Sequence, residues 1–190
     1  MLIEGLRQLA PMAKTRLCIV TNIYLPQVGG IQTVVHEQTR RLRRRNYDPF
    51  VVTNRIQTPK SYVVDGVNVE CYESINTGYR LGIPYTIPSV ASLDTFLKAA
   101  QSSDIIHAHG HPYLTSLIMG KLAKRYNKPF VLTQHNTFID YDNIFDAVEH
   151  LNDLAVGKAS LKLADKIITV SNATKKYVLS LGADPKKVTV

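Results

Sequence analysis

The fold follows from the stretch Asn22-Ile-Tyr-Leu-Pro-Gln-Val-Gly-Gly-Ile-Gln32, which joins the apolar run Leu17-Cys-Ile-Val20 to an amphipathic segment beginning at Ile31. This order predicts a buried strand, a loop with a glycine pair and then a helix. Glycines let the backbone approach a ligand closely, and the first turn of a helix presents free N–H groups and the positive end of the helix dipole. The loop therefore suits an anion such as phosphate, and a plain tight turn without a ligand is the alternative interpretation.

Strand-like and helix-like segments alternate along the whole chain. Apolar runs predict strands at residues 16–22, 50–53, 67–72, 104–108, 130–133, 166–170 and from 187 onwards. Helical spacing predicts a helix from residue 31, another that starts near 114, and helices over 89–100, 143–164 and 171–181. Residues 55–62 and 75–88 are predicted loops, and Asp65-Gly66 is a predicted turn. The alternation is typical of the α/β class, with a Rossmann-like, doubly wound and mainly parallel sheet.

Length and composition indicate one domain with an ordinary core. The chain has 190 residues, of which 45% are hydrophobic and 20% charged. No apolar run approaches the roughly 18 residues that a membrane-spanning helix needs. We expect residues 1–14 to be an extension without the features of a secretory signal, with Met12 as an alternative start, and residues 15–190 to form the domain. Cys18 and Cys71 lie in strand-like runs, which predicts buried free thiols and a reducing compartment.

Positive charge is concentrated near the end of the first predicted helix. The chain carries 23 basic and 15 acidic residues, a net charge of +8, which favours anionic partners such as nucleotides, phosphosugars, acidic lipids or nucleic acid. Five of the basic residues crowd this helix end: Arg40, Arg41, Arg43, Arg44 and Arg45. Arginines there complement the helix dipole, so a solvated helix end explains most of the run. A contact with an anionic membrane surface is the alternative.

Histidines follow two of the predicted strands. His107, His109 and His111 stand at the end of one strand, and His135 follows the next. Ligands of doubly wound sheets bind outside the carboxyl ends of the strands, where the winding reverses. The usual order places the first strand beside the strand that ends at His107, and that strand beside the one that ends at His135. This order would bring the Gly29-Gly30 loop and these histidines to one edge. We expect His107 to be a core or supporting residue, and His109 and His111 to be exposed.

Metal sites are the less favoured interpretation of two segments. Alternate histidines can hold zinc, but neither cysteine nor carboxylate stands at ligand spacing beside 107–111, so we expect no metal. Asp140-Tyr-Asp142 could chelate Mg²⁺. The pair precedes a predicted helix, where acids stabilise the N-terminus without any metal.

Four segments, in this order and spacing, resemble the N-terminal half of glycosyltransferase family 4, the retaining enzymes of GT-B fold. They are residues 26–32 leading into a helix, Asp104-Ile-Ile-His-Ala-His109, Phe130-Val-Leu-Thr-Gln-His135, and Ala164-Asp-Lys-Ile-Ile-Thr-Val-Ser171. The loop Gly29-Gly-Ile-Gln32 is also similar to that of the phosphatidylinositol mannosyltransferases. The resemblance covers residues 15–190 and implies the acceptor-side domain of a GT-B enzyme.

The resemblance implies transfer of a hexosyl group from a nucleotide-diphosphate sugar to a glycan or lipid acceptor, with retention and with neither a cofactor nor an obligatory metal. Gly29 and Gly30 would meet the donor diphosphate, and His135 would be the catalytic contact to the donor sugar. Gln32, His109 and Tyr24 would lie on the acceptor side or along the cleft. The enzyme would be cytoplasmic, peripheral at the inner face of the membrane through its arginine run, with no nucleic-acid partner.

The sequence departs from the family in one large respect. The basic pair and the glutamate pair that family members use to grip the donor in a second domain have no counterpart in these 190 residues. We therefore expect a fragment without the C-terminal donor-binding domain, one that folds but does not catalyse transfer by itself. Two alternatives stay open: half of a GT-B nucleotide-sugar epimerase, and a non-catalytic basic α/β module that binds nucleotides or nucleic acid.

Overall fold

An eight-stranded sheet runs through the protein in a computed structural model, which describes residues 14–75, 86–137 and 150–190. The strands in chain order are β1 (Thr15–Val20), β2 (Tyr47–Asn54), β3 (Ser61–Val64), β4 (Val67–Tyr72), β5 (Ser74–Ile75), β6 (Ile87–Pro88), β7 (Ile105–His109), β8 (Phe130–Gln134), β9 (Lys166–Thr169) and β10 (Val188–Thr189). Strands β5 and β6 pair with each other outside the large sheet.

The helices that flank this sheet are α1 (Gly30–Arg44), α2 (Leu93–Ser102), α3 (Leu114–Arg125), α4 (Lys158–Leu163) and α5 (Asn172–Ser180). A 3-10 turn, Val90–Ser92, leads into α2, and another, Pro185–Lys187, precedes β10. A π-helical turn, Asp153–Gly157, leads into α4. None of the helices within the described ranges combines the length and the apolar character needed to cross a membrane.

The sheet has the order β10-β9-β8-β7-β1-β2-β4-β3, and its pairs are parallel except β3 with β4. Winding proceeds outward in both directions from β1, so the reversal lies between β1 and β7. The register pairs Ile19 with His107 and His109 with Thr133. The predicted fold class and the predicted order of β1, β7 and β8 are therefore confirmed.

Both faces of the sheet are covered by apolar packing. Along β1, Cys18 and Val20 belong to the cluster on one face, while Leu17 and Ile19 belong to the cluster on the other. Successive side chains of a strand point to opposite faces, so a strand buried on both sides is continuously apolar. Both cysteines are buried free thiols, as predicted.

The structure corrects the sequence-based boundaries in two loops. The predicted loop 55–62 ends in β3, an edge strand whose side chains alternate between exposed and half-buried. Strand β3 forms an antiparallel hairpin with β4 through Asp65 and Gly66, both at positive φ, 49° and 74°. The predicted loop 75–88 carries β5 and β6 at its two ends. The extension 1–13, the middle of that loop, Asp140, Asp142 and residues 143–149 of the predicted helix 143–164 lie outside the described residues.

Candidate active site

A cleft of about 380 Å³ opens at the carboxyl ends of β1, β7 and β8. Its walls are residues 21–23 after β1, 110–113 after β7, 134–137 at the end of β8, and 30–32 at the start of α1. The structure thus brings Gly30, Gln32, His111 and His135 together at the edge where the winding reverses. This is the position at which doubly wound sheets bind ligands.

The first turn of α1 faces this cleft without a side-chain cap. Gly29 is the N-cap residue in extended conformation, and the turn contains no acidic residue. Within the described ranges, no side chain caps this turn by accepting a hydrogen bond from it. The Gly29 carbonyl accepts from the Thr33 N–H at 3.0 Å and from its hydroxyl at 2.9 Å. A Cβ on Gly30 would meet no atom within 4 Å, so the space beside Gly30 is open. Free N–H groups and the dipole make such a turn a site for an anion.

Three imidazole rings stack beside the cleft. The His107 and His109 ring centroids are 4.5 Å apart, and those of His109 and His135 are 5.2 Å apart. His109 Nδ1 lies 2.9 Å from His135 Nε2, and His107 Nε2 lies 2.7 Å from the Thr133 hydroxyl. His107 is buried, as expected, but the expectation that His109 and His111 are exposed is wrong, because each is only 1% exposed. His135 is the half-buried member that lines the cleft.

Burial keeps these rings neutral. It lowers the pKa of His107 to about 4, with a further contribution from the charge on His135. Burial, and then the charges on His107 and His135, hold the pKa of His109 well below its usual value. The pKa of His135 is also lowered by burial. Near neutral pH the rings are therefore uncharged, with His109 hydrogen-bonded to His135 and His107 hydrogen-bonded to Thr133.

A second polar cluster, formed by His111, Asp153 and Tyr177, closes the far wall of the cleft. His111 Nε2 lies 3.0 Å from Asp153 Oδ1, with both side chains almost fully buried. The Tyr177 hydroxyl donates to Asp153 Oδ2, and the Tyr177 ring meets the His111 ring edge-on at 5.7 Å. Neither Asp153 nor Tyr177 was predicted as a site residue. Asp153 lies within the predicted helix 143–164, where an acid also complements the helix dipole, so its sequence position does not by itself indicate a site.

Hydrogen bonds hold the loop after β7 in place. The Gln134 side chain accepts from the His111 backbone N–H at 2.8 Å and donates to the Asn136 carbonyl at 2.9 Å. The Asn152 side chain donates to the Pro112 carbonyl at 2.9 Å. Gln134 was not predicted as a site residue, although its neighbour His135 was.

The placement of Tyr24 in the cleft is wrong. Its side chain is 1% exposed and belongs to the apolar cluster beneath α1 together with Val35. Its hydroxyl lies 3.1 Å from His36 Nδ1, and burial raises the pKa of the phenol. Tyr24 therefore supports α1 from the core side.

The arginine run is partly engaged within the protein. Arg40 Nη1 lies 2.8 Å from Glu37 Oε1, and Arg41 Nε lies 4.0 Å from the other oxygen of that carboxylate. Arg43 donates to the Asp65 carbonyl, while Arg44 and Arg45 are exposed and make no ion pair with any residue in the described ranges. Helix-end and turn contacts account for three of the five arginines.

Comparison with known proteins agrees with this geometry. The family model for glycosyltransferase family 4 matches residues 28–190. A curated relative, an uncharacterized glycosyltransferase of Methanocaldococcus jannaschii, is 23% identical over 188 residues, which covers 94% of this chain and 47% of the relative. The chain thus spans about half the length of that relative.

Solved structures share the fold at low sequence identity. The HepE protein of Anabaena in complex with UDP and glucose gives a TM-score of 0.65 at 13% identity, over 93% of this chain and 43% of that one. The catalytic domain of starch synthase IV from Arabidopsis thaliana, bound to ADP and acarbose, gives 0.57 at 15% identity, over 93% and 50%. The parallel sheet and its cleft have the fold of these structures, and the family match identifies this fold as the N-terminal domain of a GT-B protein. This chain belongs to glycosyltransferase family 4.

Proposed function

We propose that this chain is the acceptor-side half of an enzyme that transfers a hexosyl group, with retention, from a nucleotide-diphosphate sugar to a glycan or lipid acceptor. One observation carries the proposal: the uncapped first turn of α1 and the half-buried His135 line the same cleft. The first is a site for an anion, and the second is a hydrogen-bonding group for a neutral polar part of the ligand. A sugar diphosphate has both parts in one molecule.

The donor diphosphate would meet the N-terminus of α1. Negative charge grows on the leaving diphosphate as the glycosidic bond breaks, and preorganised N–H dipoles stabilise that charge without reorganisation. Gly30 leaves space beside this turn, and no carboxylate in the turn opposes an anion. This dipole is why we propose that no metal is obligatory. HepE is described with UDP and starch synthase IV with ADP, which supports a nucleoside diphosphate leaving group.

The sugar and the acceptor would occupy the histidine side of the cleft. His135 lines this side with the uncharged ring described above, which can hydrogen-bond a sugar oxygen. Gln32 lines the opposite wall, and its side chain folds back towards Gly29, where an added Cβ would lie 2.5 Å from Gln32 Oε1. The similarity of residues 29–32 to the phosphatidylinositol mannosyltransferases favours a mannosyl donor.

The whole enzyme would need a second domain and would work at a membrane surface. We propose that the groups gripping the nucleotide lie in a C-terminal domain, so that the 190-residue chain alone does not turn over. The exposed Arg44 and Arg45 would face anionic lipid at the cytoplasmic side, because basic side chains on a helix are attracted to such a surface.

Calorimetric titration with nucleotides and nucleotide sugars tests the proposal. We expect weak binding of UDP or GDP. We also expect binding of the sugar nucleotide that carries the same base, UDP-glucose or GDP-mannose. Inorganic sulfate should compete, because the helix terminus recognises the charge. The parent nucleoside, which has the base but no phosphate, is the control and should not bind. Equal binding of nucleoside and nucleoside diphosphate would contradict the proposed diphosphate site.

A further inference from the structure

The contact between His109 and His135 can be built in two ways. The 2.9 Å separation of His109 Nδ1 and His135 Nε2 requires that one nitrogen donates a proton and the other accepts it. Burial keeps both rings uncharged near neutral pH, so each ring carries one proton. Either His109 donates from Nδ1, or His135 donates from Nε2.

The second nitrogen of His109 distinguishes the two arrangements. His109 Nε2 is buried and has no hydrogen-bond partner among the residues that the structure describes. If His135 were the donor, the only proton of His109 would sit on Nε2, as a buried N–H group without an acceptor. Such groups are rare in folded proteins because they lose the full hydration of the donor. If His109 donates from Nδ1, Nε2 keeps only a lone pair, and no donor is left unsatisfied.

We infer that His109 is a positioning residue that holds His135 in its Nδ1–H tautomer, so that His135 meets the ligand as a hydrogen-bond donor. His135 Nε2 accepts a hydrogen bond from His109 Nδ1–H, so the proton of the His135 ring resides on Nδ1. His135 Nδ1 makes no hydrogen bond with the part of the chain that the structure describes, and the residue lines the cleft. Nδ1 is thus the ring atom left for a ligand.

This assignment limits what His135 can do. A ring with its proton on Nδ1 and its Nε2 lone pair already used has no free lone pair, so it cannot accept a proton from a ligand hydroxyl. It recognises an oxygen with a free lone pair, such as a hydroxyl, ring or phosphate oxygen. The inference rests on the proposed function only for the ligand's identity, because under that function this oxygen belongs to the donor sugar or its diphosphate.

The tautomers can be read directly by NMR in the ligand-free chain. Protein labelled with ¹⁵N-histidine would be studied by long-range ¹H–¹⁵N correlation at pH 7.5, with His135→Gln used to identify the signals of that ring. We expect a protonated Nδ1 and an unprotonated Nε2 for both His109 and His135. A protonated Nε2 on His135 overturns the inference. Because this NMR experiment needs no nucleotide, its result tests the tautomer assignment independently of the proposed function.

Two substitutions of His109 separate positioning from packing. In His109→Asn the amide nitrogen can take the place of Nδ1 and donate to His135 Nε2, so the Nδ1–H form should persist. In His109→Leu the donor is gone, and His135 should populate the Nε2–H form. The His111 signals serve as an internal control and should not move. If His109→Leu does not fold, the wild-type spectrum and His109→Asn still decide.

Ligand affinity provides the second readout. With UDP-glucose and GDP-mannose as probes, His109→Leu should bind the preferred nucleotide about tenfold more weakly, the effect of one hydrogen bond lost in a partly buried site. His109→Asn should recover most of that loss. A leucine variant that folds, keeps the Nδ1–H form of His135 and binds normally would overturn the positioning role.

Discussion

Gly30 is the residue at which the anion hypothesis can be tested most directly. An added side chain there meets open space, so substitution need not disturb the fold. We expect Gly30→Asp to leave thermal stability unchanged or slightly raised, because a carboxylate in the first turn complements the helix dipole. The same charge should weaken UDP or GDP binding about tenfold relative to Gly30→Asn, which has the same size without the charge. Equal affinities of the two variants, by calorimetry, would place the diphosphate elsewhere.

The buried histidines make stability depend on pH. The pKa of His107 is about 4 in the folded protein, against an ordinary value of 6.5. The unfolded chain therefore binds more protons than the folded one between these values, and unfolding becomes easier as pH falls below 6.5. The contribution of His107 to the free energy of unfolding is fully present well above pH 6.5. Protonation of this group in the unfolded chain lowers the free energy of unfolding by about 3 kcal/mol when the pH reaches its folded pKa.

Urea denaturation at pH 7.5 and pH 5 checks this pH dependence. We expect the free energy of unfolding to be about 2 kcal/mol lower at pH 5 on account of His107. His107→Gln, whose amide can keep a hydrogen bond to Thr133, should lose that part of the pH dependence. If the free energy of unfolding falls by the same amount between pH 7.5 and pH 5 in the wild type and in His107→Gln, His107 does not titrate as its burial requires.

Among the elements, the π-helical turn Asp153–Gly157 is the one that joins α4 to the cleft wall. Its Asp153 lies 3.0 Å from the His111 ring and accepts a hydrogen bond from the Tyr177 hydroxyl. Gly157 lets the His111 ring pack closely, since an added Cβ would lie 2.5 Å from His111 Cδ2. Removing one partner so that a buried polar group is left unsatisfied costs about 1–3 kcal/mol. We expect Asp153→Ala to lose stability in that range by chemical denaturation.

An exposed aspartate provides the matched control for that experiment. Asp94 pairs with Lys98 at 2.7 Å on the surface of α2, with side chains 67% and 75% exposed. Surface pairs of this kind contribute about 0.3–0.5 kcal/mol, so Asp94→Ala should be nearly neutral. Similar losses in the two variants would mean that Asp153 contributes no more than a surface charge.

The outer end of α1 carries the membrane hypothesis. The wild-type chain should bind vesicles that contain an anionic phospholipid, and the double variant Arg44→Glu and Arg45→Glu should not. Neither the wild-type chain nor the variant should bind vesicles of neutral lipid. The pair Lys175→Glu and Lys176→Glu on α5 makes the same change in net charge at another place and serves as control. Flotation assays in low salt would show whether the two variants differ. Equal loss in both would indicate a general effect of net charge.

The sequence predicts elements better than it predicts their contacts. Continuous apolar runs predict the strands β1, β7 and β8, because a strand buried on both faces needs such a run. The usual order of doubly wound sheets then predicts which of them are neighbours. Strand β3 escaped detection because it is a short edge strand with an amphipathic pattern. The burial of His109 was missed because the strand runs one residue further than predicted and pairs it with Thr133. The Asp153–His111 contact joins residues from separate elements, and nothing local in the sequence signals it.

For the whole molecule, the proposal predicts binding without turnover. The chain covers 47% of its curated relative, and the proposed second half of the nucleotide site lies outside it. Incubation with radiolabelled UDP-glucose or GDP-mannose and with glycan or lipid acceptors should give no transferred sugar. A complete family 4 enzyme assayed in parallel is the positive control, and its sugar transfer shows that the assay detects the reaction. Sugar transfer by the purified 190-residue chain would refute the proposed division of labour.

The central position of β1 has a consequence for synthesis on the ribosome. One of its edges pairs with β2, but the other pairs with β7, and the Arg16 N–H reaches the Asp104 carboxylate, 88 residues further along the chain, at 2.7 Å. In a nascent chain, the apolar edge of β1 that pairs with β7 therefore stays unpaired until β7 has left the exit tunnel. An unpaired edge of this kind promotes chaperone binding or aggregation. Limited proteolysis of stalled chains should find β1 protected only in those long enough to expose residues 105–109. Protection in shorter chains would mean that the N-terminal strands assemble without their central partner.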